Sequence, residues 1–295
     1  MQPLPTNPHD EADLEAVRSL IRETLYASSM KSLIGRCAAE VCGGKMLRAR
    51  LILAVGPVAG LAAEHRRIAA ACVEMLHSAS LLHDDVVDGG LERRGLPAFW
   101  VAEGTKLAVL LGDMLVSAAF GQIQGILPDA IPLLVQTLQE MCNAEIDQEF
   151  LVDREQGDWE TCVRIARRKT GSLFGFAARC AAGTDDTLGV ALLRSGTALG
   201  TAYQLADDLL DEREDVADAG KTLGSDQRDN KLTATVFRFP GQPDPAAHIK
   251  RLLQEADAEL EAWPAVQAAW QRYAADVIRP VILSFTGLDA MEEAV

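Results

Sequence analysis

Two short acidic runs set the chemistry open to this chain. Leu-Leu-His-Asp-Asp-Val-Val-Asp ends at Asp88, and Gln-Leu-Ala-Asp-Asp-Leu-Leu-Asp ends at Asp211. Both read DDxxD, giving Asp84, Asp85 and Asp88 in one and Asp207, Asp208 and Asp211 in the other. On an α-helix, residues i and i+4 share a face, so each run presents two carboxylates together and a third about 100° round. Apolar residues precede each run and place both on largely buried helices, where carboxylates need a counter-charge. Hard oxygen ligands suit Mg2+, which bridges one or two carboxylates to a phosphorylated ligand. A single DDxxD reads most simply as an exposed acidic helix end. Two copies facing each other across a bundle fit a site for several Mg2+ and a diphosphate.

Basic residues at turns supply the complementary half. Gly43-Gly44-Lys45 with Arg48 forms a glycine turn opening a helix, where free N–H groups and the helix dipole favour an anion. Arg93-Arg94-Gly95 follows the first acidic run by one loop, and Lys169-Thr170-Gly171 interrupts a helix. Gly220-Lys221 follows the second run, and Lys231 comes ten residues later. Taken singly, each is an ordinary solvated turn; the ordered set is far more specific.

The elements that must carry these residues read as helices, and no segment shows sustained strand alternation. The periodicity predicts helices at Ala12–Tyr26, Met46–Leu61, Arg66–Val87, Lys106–Ile126 and Ile131–Leu151. It predicts further helices at Trp159–Ala182, Leu188–Glu214, Ala246–Trp263 and Val266–Leu283. Long helices dense in Ala and Leu, separated by short turns, describe an all-α bundle. Aromatic content is 5%, so the core packs small aliphatic side chains. No stretch has the composition of a domain boundary, and residues 1–295 read as a single domain.

Composition narrows the classes. The 295 residues carry Lys+Arg 28 against Asp+Glu 43, a formal net charge of −15, which argues against a nucleic-acid partner. Hydrophobic residues at 48% exclude a disordered chain. The weakly polar stretch Leu51–Ala63 is too short for a membrane span, and the Pro-rich, then acidic start is neither a signal nor a transit peptide. Six cysteines form no CxxC pair, so reduced core thiols in a cytoplasmic protein are expected.

In this order and spacing, the motifs from Gly43 to Thr233 closely resemble the trans-isoprenyl diphosphate synthases (polyprenyl synthetases). The match includes GGKxxR at Gly43–Arg48, His77, both Asp-rich motifs, RRGxP at Arg93–Pro97, Gly112-Asp113, Lys169-Thr170, Tyr203-Gln204, Gly220-Lys221, Asp226 and Lys231. The resemblance implies an all-α bundle of the isoprenoid synthase type around a deep central cavity, usually as a homodimer. It implies that Asp84, Asp88 and Asp207 bridge Mg2+, about three ions per site, to an allylic diphosphate. Asp85, Asp208 and Asp211 take supporting places in the metal set, and Lys169 and Lys221 join the aspartates as catalytic groups. Arg93, Lys169, Thr170, Gln204, Lys221 and Lys231 would hold the allylic diphosphate; Lys45, Arg48, His77 and Arg94 would hold isopentenyl diphosphate.

The growing product is expected to run beside the helix that carries Asp84, where one turn of about 5.4 Å matches roughly an isoprene unit. One turn before Asp84 stand Ala79 and Ser80, small where short-chain relatives often carry an aromatic floor, which points to a product of C20 or longer. Met75 and Leu76 lie deeper, with Val116, Ala119 or Phe120 opposite. The sequence departs from the family at Leu232-Thr233-Ala234-Thr235, at Ala98 and at its acidic carboxyl end. A class I terpene cyclase on the same fold would not need Lys45, Arg48 and Arg94. A regulatory subunit of a heteromeric synthase would typically lack intact Asp-rich motifs.

Overall fold

A computed structural model describes residues 8–152, 157–210, 231–237 and 242–286. Its helices are α1 (Pro8–Tyr26), α2 (Ile34–Val41), α3 (Leu47–Val55), α4 (Ala63–Val87), α5 (Phe99–Glu103), α6 (Thr105–Ile126) and α7 (Ile131–Ile146). They continue with α8 (Trp159–Ala166), α9 (Ser172–Ala181), α10 (Asp186–Leu210), α11 (Pro245–Ala258), α12 (Pro264–Tyr273) and α13 (Arg279–Thr286). The all-α expectation holds. The strands among the described residues are a two-residue antiparallel pair, with Arg93 opposite Leu96. Its turn places Arg94 at φ 54° and Gly95 at φ 74°, the left-handed pair that closes a tight hairpin.

Local chemistry explains several boundaries. Asp158 accepts from the Thr161 N–H at 2.8 Å and starts α8, while Asp244 caps α11 with Pro245 in the first turn. Gly89, at φ 63°, ends α4 just past Asp88. Three predicted helices prove to be composite, one of them Val266–Leu283, which is α12, a π-turn at Ala274–Ile278 and α13. The predicted Trp159–Ala182 is α8, a π-turn at Arg167–Gly171 and α9, and Ile131–Leu151 is α7 running into a π-turn at Asp147–Leu151. Such wide turns inside helices recur at functional sites. Helices α2 and α5 were not predicted, being short and carrying little periodic signal.

Buried apolar side chains from α1, α3, α4, α6, α9, α10 and the last three helices form one contiguous cluster. Its centre is small-residue packing, as in the run Ala69, Ala70, Ala71, Cys72 and Val73 of α4, all fully buried. Glycines let α9 and α10 approach very closely. A Cβ on Gly200 would lie 2.7 Å from Phe174 Cβ and 2.9 Å from Gly171 Cα, and one on Gly196 would lie 2.5 Å from the Phe174 carbonyl. This crossing sets α10 against the π-turn that carries Lys169. By length and composition, α6 is apolar enough to cross a membrane, which the sequence reading did not single out; in the fold it packs along α4. Four of the six cysteines are buried as expected, but Cys42 is only partly buried and Cys142 is exposed.

Candidate active site

The first acidic run occupies the last turn of α4. Asp85 points into the protein and is 4% exposed. The Arg93 guanidinium, brought over it by the hairpin, donates from Nη2 at 2.6 Å and from Nε at 2.8 Å. Burial pushes the Asp84 pKa up to about 7; the Lys169 ammonium opposes this, and the carboxylates of Glu145 and Asp88 add to it. Asp88, at the end of the helix, is exposed on its far side.

The end of α7 and the π-turn after it face this helix end with Glu145, Gln148 and Glu149. Lys169 Nζ lies 2.7 Å from Glu145 Oε1 and donates to Gln148 Oε1 at 2.9 Å. Burial alone would lower the Lys169 pKa, but Glu145 and Asp84 outweigh it and keep the ammonium charged. Lys231, 4% exposed along its side chain, donates to Asp88 Oδ1 at 2.9 Å and sits 2.5 Å from Glu149 Oε1. Carboxylate oxygens of Asp88, Glu145 and Glu149 all lie within 4.8 Å of one another. Sequence reasoning missed both glutamates. Their i, i+4 spacing on a helix is the same signal that marked the aspartates, without the doubled Asp to draw attention.

Asp207 and Asp208 of the second run lie on the last turn of α10. Thr170 of the π-turn donates to Gln204 Oε1 at 2.5 Å, and Gln204 Nε2 donates to Asp208 Oδ1 at 2.8 Å. The other oxygen of Asp208 accepts from the Ala234 backbone N–H at 3.2 Å. The short segment 231–234 therefore ties the two acidic runs together, with Lys231 on Asp88 and Ala234 on Asp208. Asp207 faces Lys45, whose pKa burial lowers while the Asp207 charge raises it. Asp211 and Lys221, with Gly220 and Asp226, lie outside the described residues.

A second cationic group forms where α3 begins. Met46 takes a left-handed conformation, φ 50°, to turn the chain into α3, a strain typical of functional sites. Gly43 and Gly44 lie flat on the Arg94 guanidinium: a Cβ on Gly43 would sit 2.5 Å from Nη1 and one on Gly44 2.8 Å from Nη2. Arg48 is buried with its guanidinium 4.4 Å over the Phe174 ring, and its Nε has no hydrogen-bond partner among the described residues. Burial lowers its pKa, with the Glu74 charge opposing. His77, partly buried on α4, faces Arg48, Arg94 and Arg93; burial and these charges push its pKa well below the ordinary imidazole value. A buried guanidinium with an unmet donor, beside a neutral imidazole, is suited to receiving an anion.

Below these charges the wall is apolar. Met75, Leu76 and Ala79 are buried on α4, Ser80 is partly buried, and Ala119 is buried on α6 with Val116 and Phe120 partly so. A cavity of about 590 Å³ opens between α6 and α7, lined by Phe120, Leu138, Cys142 and their neighbours. A smaller cavity, about 250 Å³, lies among α10, α11, α12 and α13 near Leu199, Leu253, Trp270 and Ile282, away from the charged groups.

Three comparisons bear on this arrangement. The family model described as polyprenyl synthetase matches residues 31–269. The nonaprenyl diphosphate synthase of Mycobacterium tuberculosis is 31% identical over 228 residues, covering 74% of this chain and 68% of the relative. The geranylgeranyl diphosphate synthase of the same organism is 32% identical over 237 residues, covering 77% and 67%. A polyprenyl synthase from Caulobacter crescentus, solved in complex with calcium and isoprenyl diphosphate, superposes with a TM-score of 0.71 at 29% identity over 95% of this chain and 90% of that one.

Proposed function

Because the chain belongs to the polyprenyl synthetase family of trans-prenyltransferases, we propose that it joins isopentenyl diphosphate head to tail to an allylic diphosphate. The observation that carries this reading is the segment 231–234, which bonds both acidic runs, at Asp88 and at Asp208, and pairs Lys231 with Glu149 on the π-turn after α7. We read the chain as one synthetase unit. Its allylic diphosphate lies between the ends of α4 and α10, held by Arg93, Lys169, Thr170, Gln204 and Lys231, and by Lys221. Isopentenyl diphosphate lies at the start of α3 on Lys45, Arg48, His77 and Arg94.

Metal ions fit this site. Carboxylate oxygens from Asp88, Glu145 and Glu149 lie close enough to share one ion, and the buried Glu145 Oε2 has no hydrogen-bond partner among the described residues. Hard oxygen donors of this kind suit Mg2+, and the Caulobacter crescentus relative was solved with calcium. Asp84, Asp88 and Asp207, supported by Asp85, Asp208 and Asp211, would hold about three Mg2+, which when bound neutralise charge growing on the leaving diphosphate.

Ionisation breaks the bond between C1 of the allylic substrate and its diphosphate oxygen, and the electron pair leaves with the diphosphate. Arg93, Lys169 and Lys231 meet that growing negative charge, which stabilises the transition state more than the ground state. The double bond of isopentenyl diphosphate then attacks C1, and the released diphosphate accepts the proton lost from the new allylic unit. The apolar wall of α4 and α6 keeps water away from the cation. Products of twenty carbons or more follow from the small residues Ala79 and Ser80 one turn before Asp84, and the two Mycobacterium tuberculosis relatives are named for a C45 and a C20 product.

The test is direct. Purified protein with Mg2+, isopentenyl diphosphate and each allylic starter should yield all-trans products that are sized after dephosphorylation. Asp84→Ala and Asp207→Ala should each cut turnover on the order of a thousandfold. Full activity in either variant would refute the two-cluster reading.

We extend the proposal to a homodimer. Helix α6 exposes Val109 and Leu110, and α7 with its π-turn exposes Val135, Ile146 and Phe150, apolar side chains that a second copy would cover.

A further inference from the structure

We propose that Glu149 is a positioning residue that holds Lys231 against Asp88, so that Lys231 becomes available to a diphosphate only when a divalent ion takes its carboxylate partners. The inference rests on the prenyltransferase reading of the site and gives Glu149, one of the three carboxylates close enough to share an ion there, a second role toward Lys231. The Lys231 ammonium sits 2.9 Å from Asp88 Oδ1 and 2.5 Å from Glu149 Oε1, inside the group of three carboxylates whose oxygens lie within 4.8 Å of one another. An ammonium and a divalent ion there compete for the same oxygens. Lys169 is engaged in the same way by Glu145 and Gln148, and Arg93 by Asp85. The cations expected to grip the diphosphate are thus paired with the carboxylates around the expected metal site.

The exchange is a movement of the side chain. The backbone beyond Lys231 is fixed: Leu232 is buried, the Ala234 N–H is bonded to Asp208, and the Phe237 ring meets Trp159 edge-on at 5.2 Å. A four-carbon stem on a fixed backbone can swing its ammonium by several ångströms to a phosphate oxygen. Once its partners are taken, a buried ammonium needs a new anion, so metal and diphosphate must bind with positive coupling. Glu149 is the lever because it lies outside both acidic runs, on the π-turn that aims it at Lys231.

The experiment measures inorganic diphosphate binding to the full chain by calorimetry, after chelation and again with saturating Mg2+. In the wild type, Mg2+ should tighten diphosphate binding by about ten- to a hundredfold. Glu149→Gln, which leaves Lys231 only Asp88, should tighten binding without Mg2+ by about fivefold and shrink the coupling by the same factor. In a Lys231→Met background, Glu149→Gln should change nothing. Should Glu149→Gln fail to fold, Glu149→Asp, one methylene short of Lys231, is read instead, with a smaller shift in the same direction. An unchanged dissociation constant without Mg2+ overturns the role of Glu149. So does a gain that persists without Lys231, since that is only the loss of a negative charge. A wild type whose diphosphate binding ignores Mg2+ overturns the prenyltransferase reading of the site as well.

Discussion

His77 illustrates how single side chains in this protein take their protonation state from their neighbours. Burial, then Arg48, Arg94 and Arg93, push its pKa well below the ordinary value. The folded protein therefore keeps it neutral, whereas the unfolded chain takes up a proton near pH 6.5. This contribution to stability is complete above that pH and is lost as pH falls below it, by at most about 1.4 kcal/mol per pH unit. Denaturant titrations at pH 7, 6 and 5 should show a stability loss that His77→Asn largely removes; equal slopes in the two proteins would contradict the shift. A neutral imidazole also offers a phosphate one N–H rather than a charge. Most residues of this kind were legible in the sequence, because doubled aspartates and glycine-flanked cations are uncommon strings. Glu145 and Glu149 were not. Acidic residues four apart are ordinary on exposed helices, and only the fold gives them partners, Lys169 for Glu145 and Lys231 for Glu149.

At the scale of elements, the crossing of α9 and α10 governs the site. Gly196 and Gly200 let α10 lie against Phe174 and Gly171, and α10 carries Asp207 and Asp208. Gly200→Ala should cost about 1–3 kcal/mol, since the added methyl would press on Phe174 and on backbone. In a chain of this size that lowers the melting temperature by roughly 2–4 °C per kcal/mol, measurable by calorimetry. An unchanged melting temperature would show that the two helices have room to part. On α4, Ala79→Phe should shorten the products while leaving the diphosphate residues in place; product sizing checks it, and a wild type stopping below twenty carbons would sink the length reading. The sequence showed the helix order because apolar periodicity is local. It showed the break at Lys169-Thr170-Gly171 but not that it is a π-turn, and it missed α2 and α5, whose order comes from tertiary contacts.

For the whole molecule, a formal charge of −15 coexists with a site built to receive anions. Lys and Arg drawn from a glycine turn, a hairpin, a π-turn and segment 231–234 gather where the acidic helix ends meet. Composition argues against a nucleic-acid partner but could not reveal that gathering, since chain topology alone brings those positions together. The exposed apolar residues of α6 and α7 make the proposed homodimer testable: Leu110→Glu should shift the protein to a monomer in sedimentation velocity, and an unchanged sedimentation coefficient would place any interface elsewhere.

Helix α4 also separates two properties along its length. Asp84, Asp85 and Asp88 lie at its end, whereas Ala79 lies more than one turn and Leu76 and Met75 more than two turns earlier, buried in the apolar cluster. A side chain can be exchanged at Met75, Leu76 or Ala79 while the three aspartates at the end of α4 stay in place. On the proposed reading, product size and diphosphate chemistry are thus separable, and a single substitution on α4 would change the first while leaving the aspartates of the second intact.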